Sequence, residues 1–332
     1  MLDLLRRLID GYTLALIGTV VLASVLPASG DAARVLDVVS VLAIATLFFL
    51  HGARLSREAI IAGLVNWRLH GVVLLATFAL FPLLGFLSQP LLAAWLTPQL
   101  VVGVLFLCAL PSTVQSSIAF TSMARGNVPA AVCSASASNL IGVFATPLLV
   151  AMLLSAHGSA SSPLHAIGTI VLEILLPFIA GHLLRPWLRS ALDRRAALMA
   201  YTDRGTVLLI VYVAFSASVV EGLWRQLPMP ALGATLVVVC LLLAVVLTIT
   251  TWVSRRLGFA VEDEIVIVFC GSKKSLATGL PMAKILFAGN PALGMIVLPL
   301  LLFHQIQLMV CAVLAQRYAR RSTDRAGKSA LS

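Results

Sequence analysis

Two lysines stand side by side in the stretch FCGSKKSLATG, Phe269 to Gly279, of a chain that is otherwise largely apolar. An ammonium group at bilayer depth costs at least about 2.5–3.5 kcal/mol, so Lys273 and Lys274 call for a purpose. A desolvated ammonium can hold a fixed charge, or give up its proton and carry it during transport. Ser272 and Ser275 flank the pair. A second polar interruption, LPSTVQSS from Leu110 to Ser117, adds Gln115, Ser116 and Ser117. Half-helices starting at Ser116 and Ser275 would point partial positive charge into one space. With lysine, that chemistry favours an anionic small molecule held by directional hydrogen bonds. The same serines could instead satisfy backbone groups freed by helix breaks. Adjacent helical residues point about 100° apart, so both lysines reach one cavity only where the backbone leaves the helix.

Two more ionisable positions lie inside apolar runs. Glu173, in TIVLEILLPFIAG, could pair with a lysine or accept a coupling proton, and His304 stands near Gln305 and Gln307, about 20 Å by helical rise from Arg317. Nucleophilic catalysis is disfavoured, because a serine and a lysine adjacent in the chain rarely meet in attack geometry. The sequence has no H-E-x-x-H zinc motif and no phosphate-binding P-loop, which argues against an enzyme and against ATP drive.

The elements that position these residues must be membrane helices. Of 332 residues 60% are hydrophobic and 11% charged, and mean hydropathy is +1.04, which excludes a soluble globular domain. The apolar runs have helical length rather than the alternation of an outer-membrane barrel. Ten spans are expected, near residues 11–28, 35–51, 69–89, 98–122, 128–154, 164–184, 204–222, 230–253, 264–287 and 291–316. The N-terminus imitates a signal peptide, with Arg6 and Arg7 before an apolar stretch, but an even span count makes it span 1. Arginines gather at alternate ends: Arg54, Arg57 and Arg68, then Arg125, then Arg185 to Arg204, then Arg255 and Arg256, then the basic tail 317–332. The opposite ends hold only Arg34 and Arg225, so both termini are expected in the cytoplasm of a bacterial inner-membrane protein. The net charge of +10 follows this topology and does not call for nucleic acid. Residues 53–70 mix arginines with an apolar face and read as an interfacial helix. The five cysteines lie in apolar runs without metal-ligand spacing, as buried free thiols.

An internal repeat is also visible. ARGNVPAAV at Ala124 to Val132 matches FAGNPALGM at Phe287 to Met295, and each follows an interrupted span. With an odd span count per half, residues 1–154 and 164–316 become five-helix repeats of inverted topology. Interrupted spans in corresponding positions point to a transporter site near the midplane. Lys273 lies nine residues, about 13 Å, beyond Glu264, close to half the hydrocarbon thickness.

With LPSTVQSSIAFTSMARGNVPAAV, FCGSKKSLATGLPMAKILFAGN and LLFHQIQLMV, the chain resembles the bile acid:sodium symporter superfamily, in its branch of bacterial proteins and their eukaryotic homologues. The resemblance covers nearly the whole chain. It implies an all-α fold of ten transmembrane helices in two inverted five-helix repeats, with broken helices 4 and 9 crossing. Spans 1, 2, 6 and 7 would form a panel and the others a core. Carried over residue by residue, it puts Thr77 and Ser117 at sodium-ligand positions, Phe269 in place of a glutamate and Lys273 in place of a glutamine. Ala131 and Ala135 would replace hydroxyl ligands, with Ser134, Ser136, Ser138 and Asn139 nearby. Loss of the acid argues against the usual Na⁺ sites, and one ammonium is expected to replace the metal cation.

These readings converge on a secondary transporter of an organic anion, bile-acid-like or another carboxylate or sulfonate, working by alternating access. Its expected partners are that anion and the lipid bilayer, with no nucleic acid. No cofactor is expected, and coupling to H⁺ or Na⁺ stays open. The alternative is a membrane regulator of ion homeostasis that transports nothing.

Overall fold

The computed structural model describes residues 11–54, 66–155, 175–194 and 196–329. Glu173, Arg6, Arg7 and residues 55–65 of the expected interfacial helix lie outside them. Every regular element among the described residues is helical. We label them α1 Gly11–Val25, α2 Gly30–Arg54, α3 Trp67–Leu75, α4 Phe81–Trp95, α5 Pro98–Ala109, α6 Gln115–Met123 and α7 Val128–Ser155. The rest are α8 Leu176–Arg194, α9 Ala196–Val220, the single turn α10 Leu223–Gln226, α11 Met229–Arg256, α12 Val261–Gly271, α13 Leu276–Leu286 and α14 Leu293–Ser329. A π-type turn, Ala76–Leu80, joins α3 to α4, so that residues 67–95 form one continuous apolar rod.

Among the described residues six rods are long and apolar enough to cross a membrane: residues 30–53, 67–95, 128–154, 201–220, 229–256 and 293–320. The chain is a multi-pass membrane protein. Helices α1 and α5 are apolar but shorter. Both expected interruptions are real. Helix α5 stops at Leu110, whose extended ψ of 153° is what a following proline imposes, and α6 resumes at Gln115. Helix α12 begins with Glu262, Asp263 and Glu264 in its first turn, where the helix dipole favours acids. It stops at Gly271, and α13 restarts after Ser275, whose hydroxyl caps it by accepting the Thr278 N–H.

The helices form two groups, which meet where α9 packs on α13 and α14. Helix α2 lies along α8, and α9 along α1 and α2. The α2–α8 crossing is set by two glycines: a Cβ on Gly52 would stand 1.9 Å from the Phe178 carbonyl oxygen, and one on Gly181 1.9 Å from that of Phe49. Backbones this close exclude any side chain at either position. The other group, α3 to α7 with α11 to α14, encloses the two breaks. Helix α5 packs on α14, α4 and α7, and α12 on α3, α6, α7 and α11. At the rim of this group Glu264 accepts from Arg255 Nε and Nη2 and from the Tyr318 hydroxyl at 2.7 Å, tying α11, α12 and α14 together.

Candidate functional site

A helix break inside an apolar bundle frees backbone carbonyls that must find donors. At the first break the donors come from two places, α7 and the second break. Thr146 Oγ1 donates to the Ala109 carbonyl, the Ser275 N–H to Pro111, and Asn139 Nδ2 to Ser112 at 2.7 Å. The remaining two, Cys108 and Leu110, accept from Lys274 Nζ at 2.9 and 2.6 Å. The same ammonium donates to the Thr77 carbonyl at 2.9 Å. That carbonyl needs an outside donor because the Phe81 N–H turns to Ala76 in the π-type turn and residue 82 is a proline. Lys274 thus sits in a cage of three backbone oxygens, closed by the Phe81 ring 4.1 Å away. Both lysines are fully buried.

Lys273 turns the other way. Its Nζ donates to the Ser116 carbonyl at 2.9 Å and lies over the Phe120 and Phe269 rings, 4.0 and 5.1 Å from their centroids. Among the described residues neither lysine has a carboxylate in ion-pair contact. Carbonyl dipoles and aromatic faces hold the charge instead. Phe269 is packed between Phe120 and Tyr318.

The second break is held the same way. Ser117 Oγ donates to the Phe269 carbonyl, Ser112 Oγ to Cys270, and Ser272 Oγ to Val268. Gln307 of α14 clasps the Lys274 backbone through both of its polar groups: its Oε1 accepts the Lys274 N–H at 2.9 Å and its Nε2 donates to the Lys274 carbonyl at 3.0 Å. Asn139 links the breaks, since its Oδ1 accepts from Thr278 Oγ1 at 2.8 Å while its Nδ2 holds Ser112.

Beside the breaks lies a cavity of about 460 Å³ between the two helix groups. This is the size range of sites for small organic ligands. The first residues of both restarted half-helices line it, Gln115 and Ser116 of α6 and Ser275 to Ala277 of α13. Thr113, Asn139, Thr278 and His304 add polar groups from the same side. Helices α1, α2, α8 and α9 contribute Tyr12, His51, Phe178, Asp203 and Arg204. The Arg204 guanidinium lies 5.4 Å from the Tyr12 ring centroid. The Arg204 guanidinium stands beside the Asp203 carboxylate, so the net positive character of this space comes from the two helix N-termini, which favour a negative group.

Of the residues singled out from sequence, Gln115, Ser116, Asn139, Ser275 and His304 line this cavity. Thr77, Ser117, Ser272, Lys273 and Lys274 are buried behind it, with the lysines' charge directed into the protein. Sequence reasoning did not single out Thr113, Thr278, Tyr12, His51, Asp203 or Arg204 as site residues. Thr278 had a local signal, its spacing of three from Ser275 at a helix start. Arg204 carries in sequence only the signal of a topology-setting arginine. Among the described residues no three His, Cys, Asp or Glu side chains gather closely enough to hold a metal ion.

The model of the SBF-like CPA transporter family matches residues 10–320. The chain is similar to PA2026 of Pseudomonas aeruginosa, 61% identical over 321 residues, or 97% of this chain and 96% of the relative. It is similar to YfeH of Escherichia coli K12, whose name carries the word symporter, at 54% over 318 residues, 96% of this chain and 95% of the relative. It is also similar to sodium/bile acid cotransporter 7 of Rattus norvegicus, at 29% over 279 residues, 83% of this chain and 82% of the relative.

Proposed function

The chain belongs to the SBF-like CPA transporter family, and from that premise we propose that it is a secondary active transporter moving an organic anion, bile-acid-like or another carboxylate or sulfonate, by alternating access. The observation that carries this reading is the cavity in which the N-terminal turns of α6 and α13 meet Arg204. A family and relatives named for transport leave no reason to assign an enzymatic reaction.

Ten spans in two inverted repeats account for the packing. The repeat pairs span 2 with span 7 and span 4 with span 9, so α2 corresponds to α9, and α6 to α13. Helix α9 packs on α13 and α14, whereas the corresponding packing of α2 on α6 and α7 is slight among the described residues. The cavity fills that gap. On the other side of the molecule, Lys284 of α13 donates to Asp37 Oδ1 at 2.8 Å and to Ser40, both on α2. Ser218 of α9 donates to the Pro291 carbonyl and accepts the Gly294 N–H. Access from the end that carries Arg204, Arg125 and Arg255 with the opposite end bridged is one state of an alternating cycle. With the arginine-rich end cytoplasmic in the bacterial inner membrane, this state faces inward.

The caged ammonium of Lys274 supports a sodium-independent step, since it already occupies an all-oxygen site for a small cation. Uptake of radiolabelled taurocholate, with unlabelled carboxylates and sulfonates as competitors, into proteoliposomes under separate Na⁺ and pH jumps tests the reading. Saturable uptake that persists when K⁺ replaces Na⁺, and that falls about tenfold or more in Arg204→Ala with loss of one charged contact, is the expected result. Absence of saturable uptake or competition across the panel under both gradients would leave the transport reading without support.

A further inference from the structure

Helix α11 ends in a tight turn. Gly258 takes a φ of +72°, and the N–H groups of Gly258 and Phe259 reach back to the Arg255 and Ser254 carbonyls, the pattern that a left-handed glycine allows. Two guanidinium groups are anchored on this turn. Arg68, at the start of α3, donates from Nη2 to the Leu257 carbonyl at 3.4 Å and lies 5.6 Å from the Phe259 ring centroid. Arg256 folds over the Trp252 ring, 5.3 Å from its centroid. Stacking of this kind holds a guanidinium in place and leaves the edge of its N–H fork open.

The acids of this end are engaged elsewhere. Glu264 accepts from Arg255 and Tyr318, and Asp263 accepts from Asn127 Nδ2 at 2.9 Å. Among the described residues no carboxylate, the exposed Glu262 included, makes an ion pair with Arg68 or Arg256. Two exposed positive charges therefore stand uncompensated on one turn. Beside them Trp67 and Trp252 are 72% and 58% exposed, the placement of rings where a span meets the headgroup layer.

We propose that Arg68 and Arg256 form a binding site for the phosphodiester of an anionic phospholipid, with Trp67 and Trp252 packing on its glycerol and acyl chains. Arginine forks match phosphate oxygens. The arginine-rich end is the one that faces the cytoplasmic leaflet, whose surface is anionic. The site does not depend on which solute the chain carries. A lipid held there would clamp α3 to the turn that leads into α12, and so brace the approach to the second break from outside.

Delipidated protein in detergent, titrated with phosphatidylglycerol, phosphatidylcholine or inorganic phosphate and read by native mass spectrometry, tests the site. An arginine near an anionic surface contributes about fivefold in binding. The native protein should hold one phosphatidylglycerol at least about tenfold more tightly than phosphatidylcholine, and Arg68→Gln with Arg256→Gln should lose most of that preference. Arg34→Gln, at the opposite rim where Arg34 pairs with Asp31, should keep it. Arg68→Lys with Arg256→Lys retains the charge but not the stacked fork, and should bind phosphatidylglycerol at least about threefold more weakly than the native protein. Equal affinity of the native protein for the two lipids overturns the site. So does an equal loss in Arg34→Gln or native binding in the double lysine substitution, since either result reduces the preference to diffuse charge. Displacement of phosphatidylglycerol by millimolar inorganic phosphate overturns the lipid as its occupant.

Discussion

Replacing Lys274 by methionine removes the ammonium while keeping most of the side chain's length and volume. Three carbonyls, of Thr77, Cys108 and Leu110, then lose their donor at 2.6–2.9 Å. A buried acceptor left unsatisfied costs about 1–3 kcal/mol, which for three gives roughly 3–9 kcal/mol. Against that stands the removed burial penalty of the ammonium, several kcal/mol. The balance is a loss of about 2–4 kcal/mol, or about 3–6 °C in melting midpoint for a chain of this size. Lys273→Met is the internal control, since Lys273 has one carbonyl partner and two aromatic faces; its loss should be the smaller of the two. Thermal unfolding in nanodiscs measures both. In Lys274→Ala, where truncation leaves room beside the three oxygens, ammonium chloride should recover part of the lost midpoint and choline chloride should not. A Lys274→Met protein melting at or above the native midpoint would refute the cage as a stabilising element, and so would equal losses for the two lysines.

Reversing one charge of the Lys284–Asp37 bridge with Lys284→Asp should lower taurocholate uptake at least about tenfold, and adding Asp37→Lys should restore much of it; an uptake that ignores both changes would remove this bridge from the cycle. Gly181→Leu should prevent the α2–α8 crossing, because even a Cβ would meet the Phe49 carbonyl at 1.9 Å, and loss of folded protein by size-exclusion profile checks it. Tyr318→Phe removes a 2.7 Å donor to the Glu264 carboxylate and should lower unfolding free energy by about 1.5–3 kcal/mol, measured by denaturant titration.

The breaks were legible in the sequence because proline, glycine and adjacent lysines violate the composition of an apolar helix, and no tertiary knowledge is needed to see that. Where the two lysines point was not. Side-chain direction follows from periodicity only while the backbone is helical, and residues 272–275 are not helical. The direction is decided by carbonyls that other breaks leave open, at Thr77 and at Leu110, far away in the chain. The cavity's half-helix ends were legible for the same reason as the breaks. Asp203 and Arg204 were not legible as part of it, since they belong to a helix whose charges alone signal only which end of a span meets water. Gln307 stands out beside His304 in the sequence, but its double hold on the backbone of one residue depends on how α14 crosses the second break.

The donors that complete the two breaks, Lys274, Thr146, Asn139, Ser112, Ser117, Ser275 and Gln307, all come from α3 to α7 or α11 to α14, or from the breaks themselves. None of these comes from α1, α2, α8 or α9. Polar ties across the seam between the groups include Thr13 to Gln305, Lys284 to Asp37 and Ser218 to Pro291. Sliding along that seam would exchange ties such as these and leave the polar centre untouched. The molecule is built like a sealed cartridge in a sleeve: the cartridge keeps its own polar contents closed, and the sleeve meets it through separate catches.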